Sequence, residues 1–408
     1  MHAEQIKLGG IPLRKASLAR FFVFYFLFCV ISNMVHPITP AYLQSINCPD
    51  YMFGVAFAAM AFTNFLSSAF WGKMGDRYGY AKIMGVGYTG YTVGQWVFSI
   101  ATNSYMVVLG RAIAGLFIAG FSVNAMAYIA TSTDDNQTRS KYMATYAAMM
   151  SVGAAVGFLI GGLIGDYSMG LVFNVQLVGL VFASIASLTM LGEFKPHIVT
   201  GKLSFKEVDP ISNVIASFKL ITPAMAIFLM SVLFTSFATQ AHDGSFNYYL
   251  KAQLNLPPSA NGIFKALVGT IGLVANFTIN MWIVKKTDSR KSIIYVLLLC
   301  GAALVCIVAA PVVSLFLAAS VVFYTFNAIY LPIQQALMIR NDDGASSGAM
   351  AGLFNATRSL GMVVGPLFSG FAFSVNPKYP FIGAGVAFFA AAVLCYYNQK
   401  QYERLESK

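Results

Sequence analysis

Runs of about 20 predominantly apolar residues recur along the whole chain, separated by short clusters of charge, proline or polar side chains, and one such run is what a helix needs to cross a bilayer. Twelve spans result, at about 19–41, 51–72, 82–101, 105–129, 141–164, 169–191, 221–246, 259–284, 292–310, 314–337, 347–373 and 380–397. The first, which begins FFVFYFLFCVISNMV, is too long for the apolar core of a secretion signal and ends without a small-residue cleavage site, so it reads as a retained span. The pattern predicts an all-α integral membrane protein of twelve transmembrane helices.

A repeat divides these helices into two pseudo-symmetric six-helix halves. Span 5 contains GAAVGFLIGG, with Gly153, Gly157, Gly161 and Gly162; span 11 contains GMVVGPLFSG, with Gly361, Gly365, Pro366 and Gly370, at an offset of 208 residues. The charged stretch WGKMGDRYGYAK at 71–82 has a weaker echo in Lys285, Lys286, Asp288, Arg290 and Lys291. The halves are residues 1–192 and 220–408, joined by a polar linker at 193–219. Duplicated halves with a substrate path between them are a common architecture of secondary transporters. Glycines spaced four apart share one helix face and admit a neighbouring backbone. The rows are therefore either plain packing contacts or, given their recurrence, pivots where the two halves meet. Pro366 adds a bend by removing one backbone hydrogen bond.

Composition and charge refine this picture. Apolar residues make up 58% of the chain and charged residues 10%, against about 25% charged in a soluble domain. If the N-terminus is cytoplasmic, cytoplasmic segments hold 21 of the 26 lysines and arginines, the external loops hold Lys251 and Lys378, and Arg111, Lys265 and Arg358 lie within spans. The net charge of +11 then reflects topology signals facing anionic inner-leaflet lipid, and no nucleic-acid partner is implied. The expected setting is multi-pass in the inner (plasma) membrane, with both termini cytoplasmic, as a monomer whose partners are membrane lipids, a small-molecule substrate and protons. The five cysteines show no metal or paired-redox spacing and read as small apolar residues. No metal site or cofactor is expected.

Between spans 2 and 3, Gly72, Asp76, Arg77 and Gly79 form a loop that resembles the signature of the major facilitator superfamily. Three further features resemble its twelve-span drug:proton antiporter branch: Pro37-Ile-Thr-Pro40, Gly110-Arg111-Ala-Ile-Ala-Gly115 and the span 5 glycine row. The resemblance covers essentially the whole chain. It departs from the family at Tyr80-Ala81, where a basic pair is usual, at Phe158, where proline is usual, and at Ala114, where glutamine is common. It implies the major facilitator fold, a proton-coupling role for Arg111, and an Asp76 that caps or pairs across the contact between halves.

Ionisable residues inside spans are costly in lipid and mark functional candidates. Besides Arg111, His36 and Asp243 are candidates for proton coupling, since a histidine changes charge near neutral pH and Asp243 is the acidic residue nearest a span interior. Lys265 can pair with Asp243. Arg358 in span 11 is either part of the cavity or a structural partner of backbone carbonyls. No Asp or Glu falls at the middle of a span, which suits neutral, zwitterionic, weakly anionic or lipophilic substrates better than deeply bound cations. Asn33, Asn124, Tyr128, Gln240, Lys265, Tyr324, Asn327, Gln334 and Arg358 are the candidate cavity residues. The expected function is secondary active transport, as proton-coupled multidrug-type efflux. A proton-coupled importer, or an exporter of one metabolite, sugar or lipid precursor, is the alternative. No G-x-x-x-x-G-K-[ST] loop occurs, which disfavours nucleotide-driven transport, and no nucleophile motif suggests an enzyme.

Overall fold

The computed structural model describes residues 7–8, 11–12, 17–194, 221–340 and 347–406. Most of the expected linker lies outside them. A minimal strand pair, Lys7–Leu8 with Ile11–Pro12, precedes the helices. The helices are α1 Leu18–Asn33, α2 Thr39–Ser45, α3 Met52–Tyr78, α4 Tyr80–Ser99, α5 Ser104–Ala130, α6 Asn136–Tyr167 and α7 Met169–Met190. After the linker come α8 Pro223–Ala252, α9 Pro258–Ala275, α10 Met281–Lys286, α11 Ser289–Ala309, α12 Val313–Arg340, α13 Ser347–Val375 and α14 Tyr379–Glu406. A π-helical turn at Asn276–Asn280 carries α9 into α10. Among the described residues, ten helical stretches are long and apolar enough to cross a membrane. The 16-residue α1 and the α4 helix, with its four glycines and three tyrosines, fall outside that measure.

Local sequence chemistry explains most boundaries. Ser17, Asn103, Asp135, Ser168, Thr222 and Asp288 each accept a backbone N–H in the first turn of the helix they precede. Pro223 and Pro258 open α8 and α9, where a missing N–H leaves no bond broken. The first expected span, 19–41, is interrupted: α1 stops at Asn33, a turn holds His36 and Pro37, and α2 starts at Thr39. Pro37 disfavours helical geometry in the residue before it and lacks a donor of its own, so the helix cannot run through.

Two compact units emerge. The first comprises residues 1–36 and 63–210, the second residues 37–62 and 211–408. Residues 37–62 thus group with the second unit, although they precede the linker in sequence. Within that unit the Tyr248 hydroxyl donates to Asp50 (2.6 Å), Phe53 stacks on the Tyr248 ring (4.8 Å), and Gly370 brings α13 against the start of α3. From Thr63 onward α3 has other partners: Thr63 Oγ1, Ser67 Oγ and Trp71 Nε1 donate to carbonyls of Ala112 and Leu116 on α5 at 2.7–2.9 Å.

The glycine rows act by close approach. In the first unit, a Cβ on Gly153 would lie 2.6 Å from Cβ of Cys29, and one on Gly157 or Gly161 would run into the carbonyl of Val30 on α1 or of Met34 just after it. In the second unit, a Cβ on Gly361 would lie 2.7 Å from Ser236 and one on Gly365 2.6 Å from the Phe237 carbonyl on α8. Gly162 is buried, and Pro366 sits inside α13 with its carbonyl accepting from Ser369. Each row therefore packs on a helix of its own unit. A further row, Gly87, Gly90 and Gly94 of α4, meets Gly110, Ala114 and Phe117 of α5 in the same way.

Candidate functional site: a buried charge cluster

The second unit holds an ion pair inside its helix packing. Asp243 lies on α8, Lys265 on α9 and Tyr324 on α12. Lys265 Nζ donates to Asp243 Oδ1 (3.1 Å) and to the Tyr324 hydroxyl (2.5 Å), and that hydroxyl donates to the same Oδ1 (2.7 Å). The ammonium also lies 4.3 Å from the centre of the Tyr324 ring. Two of these three hydrogen bonds fall on the same carboxylate oxygen, Oδ1, and the third links their donors. Among the described residues Oδ2 has no hydrogen-bond partner, and the Asp243 side chain is 34% exposed against 13% for Lys265. The cluster is thus electrically neutral, with one acceptor oxygen left open.

His242 stands beside it in a cage of aromatic rings. It is fully buried among Phe246, Phe323, Tyr324 and Phe381, with centroids 4.0–5.6 Å away. Its Nδ1 is 3.9 Å from Asp243 Oδ1, beyond hydrogen-bond reach, and neither ring nitrogen has a partner. A charged imidazole is costly in such surroundings.

Polar layers continue along α8 at intervals of four residues. Thr239 bonds Asn327 Oδ1 (2.8 Å) and the Tyr330 hydroxyl (2.9 Å), and Thr235 bonds Gln334. Positions 235, 239, 243 and 247 lie on one face, so the stripe runs about 18 Å along the helix. Asn327, Gln334 and Tyr324, expected to line a cavity, belong to it; Thr235, Thr239 and Tyr330 do not stand out in the sequence. Arg358 acts electrostatically on Tyr330, and its carbonyl accepts from Ser236. Gln240 sits one position from the stripe, its Cβ near Gly365.

In the first unit the candidates are dispersed. Arg111 is 3% exposed, with its guanidinium 3.8 Å from the Phe98 ring centre. His36 stacks on Phe158 at 5.4 Å, which gives that departure from the family pattern a contact. Asn33 donates to the Cys29 carbonyl of its own helix (2.8 Å). Asn124 and Tyr128 lie within the helix packing. Asn124 is fully buried and donates to the carbonyls of Gly120 and Trp71, and Tyr128 is fully buried and donates to the Gly192 carbonyl. Their polar groups join α5 to α3 and to the residues that follow α7.

The signature stretch is helical where a loop is expected: Gly72, Asp76 and Arg77 lie in α3, and Gly79 alone separates α3 from α4. Gly79 adopts φ +102°, a region glycine tolerates, and a side chain there would meet Glu193. Gly79 offers no side-chain cap to α4, and Glu193 from beyond α7 accepts the Ala81 N–H instead (2.7 Å). The Tyr80 hydroxyl donates to Asp76 Oδ1 (2.8 Å). Burial, then the hydrogen bond and charge of Asp76, push the Tyr80 phenol up to about 12. Tyr80, which replaces a usual basic residue, is thus the partner of the signature aspartate. Arg77 lies 5.6 Å from the Tyr78 ring centre, and Gly72 has room for a methyl group beside Val123.

With the fold and charge cluster described, similarity to known proteins becomes informative. The sequence profile of the major facilitator superfamily matches residues 21–340 and 228–408. The chain belongs to this superfamily. It is accordingly a multi-pass membrane transporter and not an enzyme. Multidrug resistance protein 2 of Bacillus subtilis is 24% identical over 356 residues, covering 86% of this chain and 88% of that protein. Quinolone resistance protein NorA of Staphylococcus aureus is 25% identical over 374 residues, covering 90% and 94%. Among solved superfamily folds, a bacterial homologue of the iron transporter ferroportin superposes with a TM-score of 0.73 at 14% identity, over 94% of this chain and 99% of that one.

Proposed function

We propose that this protein is a proton-coupled exporter of small lipophilic, neutral or weakly charged compounds, working by alternating access in the plasma membrane as a monomer. The observation that carries the reading is the Asp243–Lys265–Tyr324 cluster, with its single open carboxylate oxygen. Protonating Asp243 removes the counter-charge of Lys265 and leaves an ammonium in a low-dielectric site, which is costly. Proton binding therefore shifts the balance between transport states by the difference in its affinity for them. The unprotonated cluster is neutral, which suits uncharged and zwitterionic substrates better than lone cations. Export in preference to import is supported by the drug-resistance relatives. Arg111 remains a second candidate for coupling, on family resemblance and on its burial. The basic-residue asymmetry supports cytoplasmic termini, which puts the α8–α9 connection outside.

Reconstitution into liposomes with an imposed pH gradient tests this, using a fluorescent quinolone and a lipophilic dye as probes. Flux that follows the gradient supports the reading; flux of either probe that ignores it rules out proton coupling. In the same assay Arg111→Ala is expected to uncouple or abolish transport, and wild-type coupling in that variant would remove Arg111 from the site.

A further inference from the structure

The transport reading gives His242 no part, yet its surroundings are costly to build. The side chain is fully buried on α8, and neither ring nitrogen has a protein hydrogen-bond partner among the described residues. A neutral imidazole carries one N–H donor and one bare acceptor nitrogen, and polar atoms buried unpaired are destabilising. Rings fill the space around it: Phe323 of α12 at 4.0 Å, Tyr324 of α12 at 5.1 Å, and Phe246 of α8 and Phe381 of α14 at 5.6 Å, between centres. Aromatic faces offer an N–H a weak partner; they offer a bare nitrogen none. The polar atom that faces the ring is Asp243 Oδ1, 3.9 Å from Nδ1. A protonated Nδ1 beside a carboxylate donates to it at about 2.7–3.2 Å. A bare Nδ1 opposes one acceptor with another, and the observed gap fits that arrangement.

We propose that His242, with its proton on Nε2, is the acceptor that receives the protonated Asp243 side chain. A proton from the medium adds to one oxygen of the carboxylate, which is 34% exposed, and the acid so formed turns its O–H to the Nδ1 lone pair. Bringing 3.9 Å to hydrogen-bond length takes roughly 1 Å of movement. The proton stays on oxygen, so the imidazole remains neutral and no buried imidazolium forms. Lys265 keeps two contacts when the carboxylate withdraws: the Tyr324 hydroxyl at 2.5 Å and the Tyr324 ring, whose centre is 4.3 Å away. Asp243 thus has two partners, Lys265 when ionised and His242 when protonated, and the proton decides between them. His242 is a positioning residue in this scheme. The titratable and charged groups acting on it are Asp243 on its own helix, Lys265 of α9 and Tyr324 of α12, while α14 presents the Phe381 ring. The proposal rests on proton binding at Asp243, as read above.

Infrared absorption of protonated carboxyl groups reads the step on the purified full-length protein, titrated with acid and without a transported substrate. Asp243→Asn identifies the band. A carboxylic acid that donates a strong hydrogen bond absorbs at lower frequency than one that does not. In His242→Phe, which keeps a ring in the cage and removes both nitrogens, the band is expected to move to higher frequency and the proton affinity of Asp243 to fall by roughly tenfold, the scale of one lost hydrogen bond. His242→Gln, which offers an amide oxygen in place of Nδ1, is expected to hold the band below that of the phenylalanine variant, an ordering that packing damage alone does not give. A wild-type band and midpoint in His242→Phe, or the same band position in both variants, overturns the role of His242 while leaving proton binding at Asp243 intact. Nitrogen NMR needs neither variant to fold: with His2, His36 and His197 replaced by glutamine, His242 is the one histidine left, and its ring is expected to stay neutral while the Asp243 band grows. An imidazolium forming over that range overturns the proposal as well. A wild-type spectrum with no Asp243-dependent band overturns both this role and the placing of the coupling proton on Asp243.

Discussion

The two units share a packing device and differ in where they keep charge. In the first, glycines of α6 admit α1; in the second, glycines of α13 admit α8, at positions 208 residues on. Around these equivalent contacts the polar chemistry diverges. The first unit buries Arg111 against an aromatic ring, whereas the second buries Asp243, Lys265 and Tyr324 in mutual contact, with polar layers above and below. Duplication preserved what close packing needs, a missing side chain at fixed intervals, and left the titratable groups free to concentrate on one side.

Five experiments break or sharpen that contrast. The largest effect is expected from Lys265→Met, which leaves a one-third exposed carboxylate without its counter-charge and should destabilise the protein by about 3 kcal/mol, the low end of the range for buried pairs. Adding Asp243→Asn should restore most of that stability in thermal unfolding without restoring gradient-driven flux. A double variant as unstable as the single one would show that the pair matters through packing alone. Next, Gly161→Leu and Gly365→Leu both push a side chain into facing backbone, and each is expected to cost at least the 1–3 kcal/mol typical of overpacking. Similar losses in the two units support an equivalent role; a tolerated substitution in one would end the parallel.

Smaller effects are expected in the signature stretch. Glu193→Gln weakens the cap of α4, with an expected loss of about 1 kcal/mol, measurable as a lower unfolding temperature. Asp76→Asn should slow turnover more than it weakens probe binding, and equal losses in both would make the residue a plain structural contact. The smallest is a pH effect. Because the Tyr80 phenol is pushed up to about 12, above the usual phenolic value of about 10, the folded state holds that proton longer than the unfolded one. Its contribution is complete below about pH 10 and lost as pH rises through about 12. The wild type should therefore lose stability in that window more steeply than Tyr80→Phe.

The helical membrane fold is legible because apolar runs of bilayer length cannot be satisfied otherwise, and the duplication is legible because small residues recur at the same spacing in both rows. The partner surface of those rows is not: four-residue spacing shows that a backbone comes close, not which one. Asp243 and Lys265 are legible as a pair because charge is expensive inside a span. Thr239, Asn247 and Tyr330 escape notice because hydroxyl and amide side chains are unremarkable within spans. Only the recurrence of polar residues every four positions on α8 marks their face. Glu193 is hidden for a different reason, since it caps a helix that starts more than a hundred residues earlier.

The central claim is that coupling resides in the charge cluster of the second unit. The most direct test is to load liposomes with a pH-sensitive dye and record proton movement while a quinolone gradient drives transport, in the wild type and in Asp243→Asn. The account predicts that the wild type moves protons against the quinolone, while Asp243→Asn carries quinolone down its own gradient with no accompanying change in pH. Proton movement of wild-type size in Asp243→Asn would contradict it.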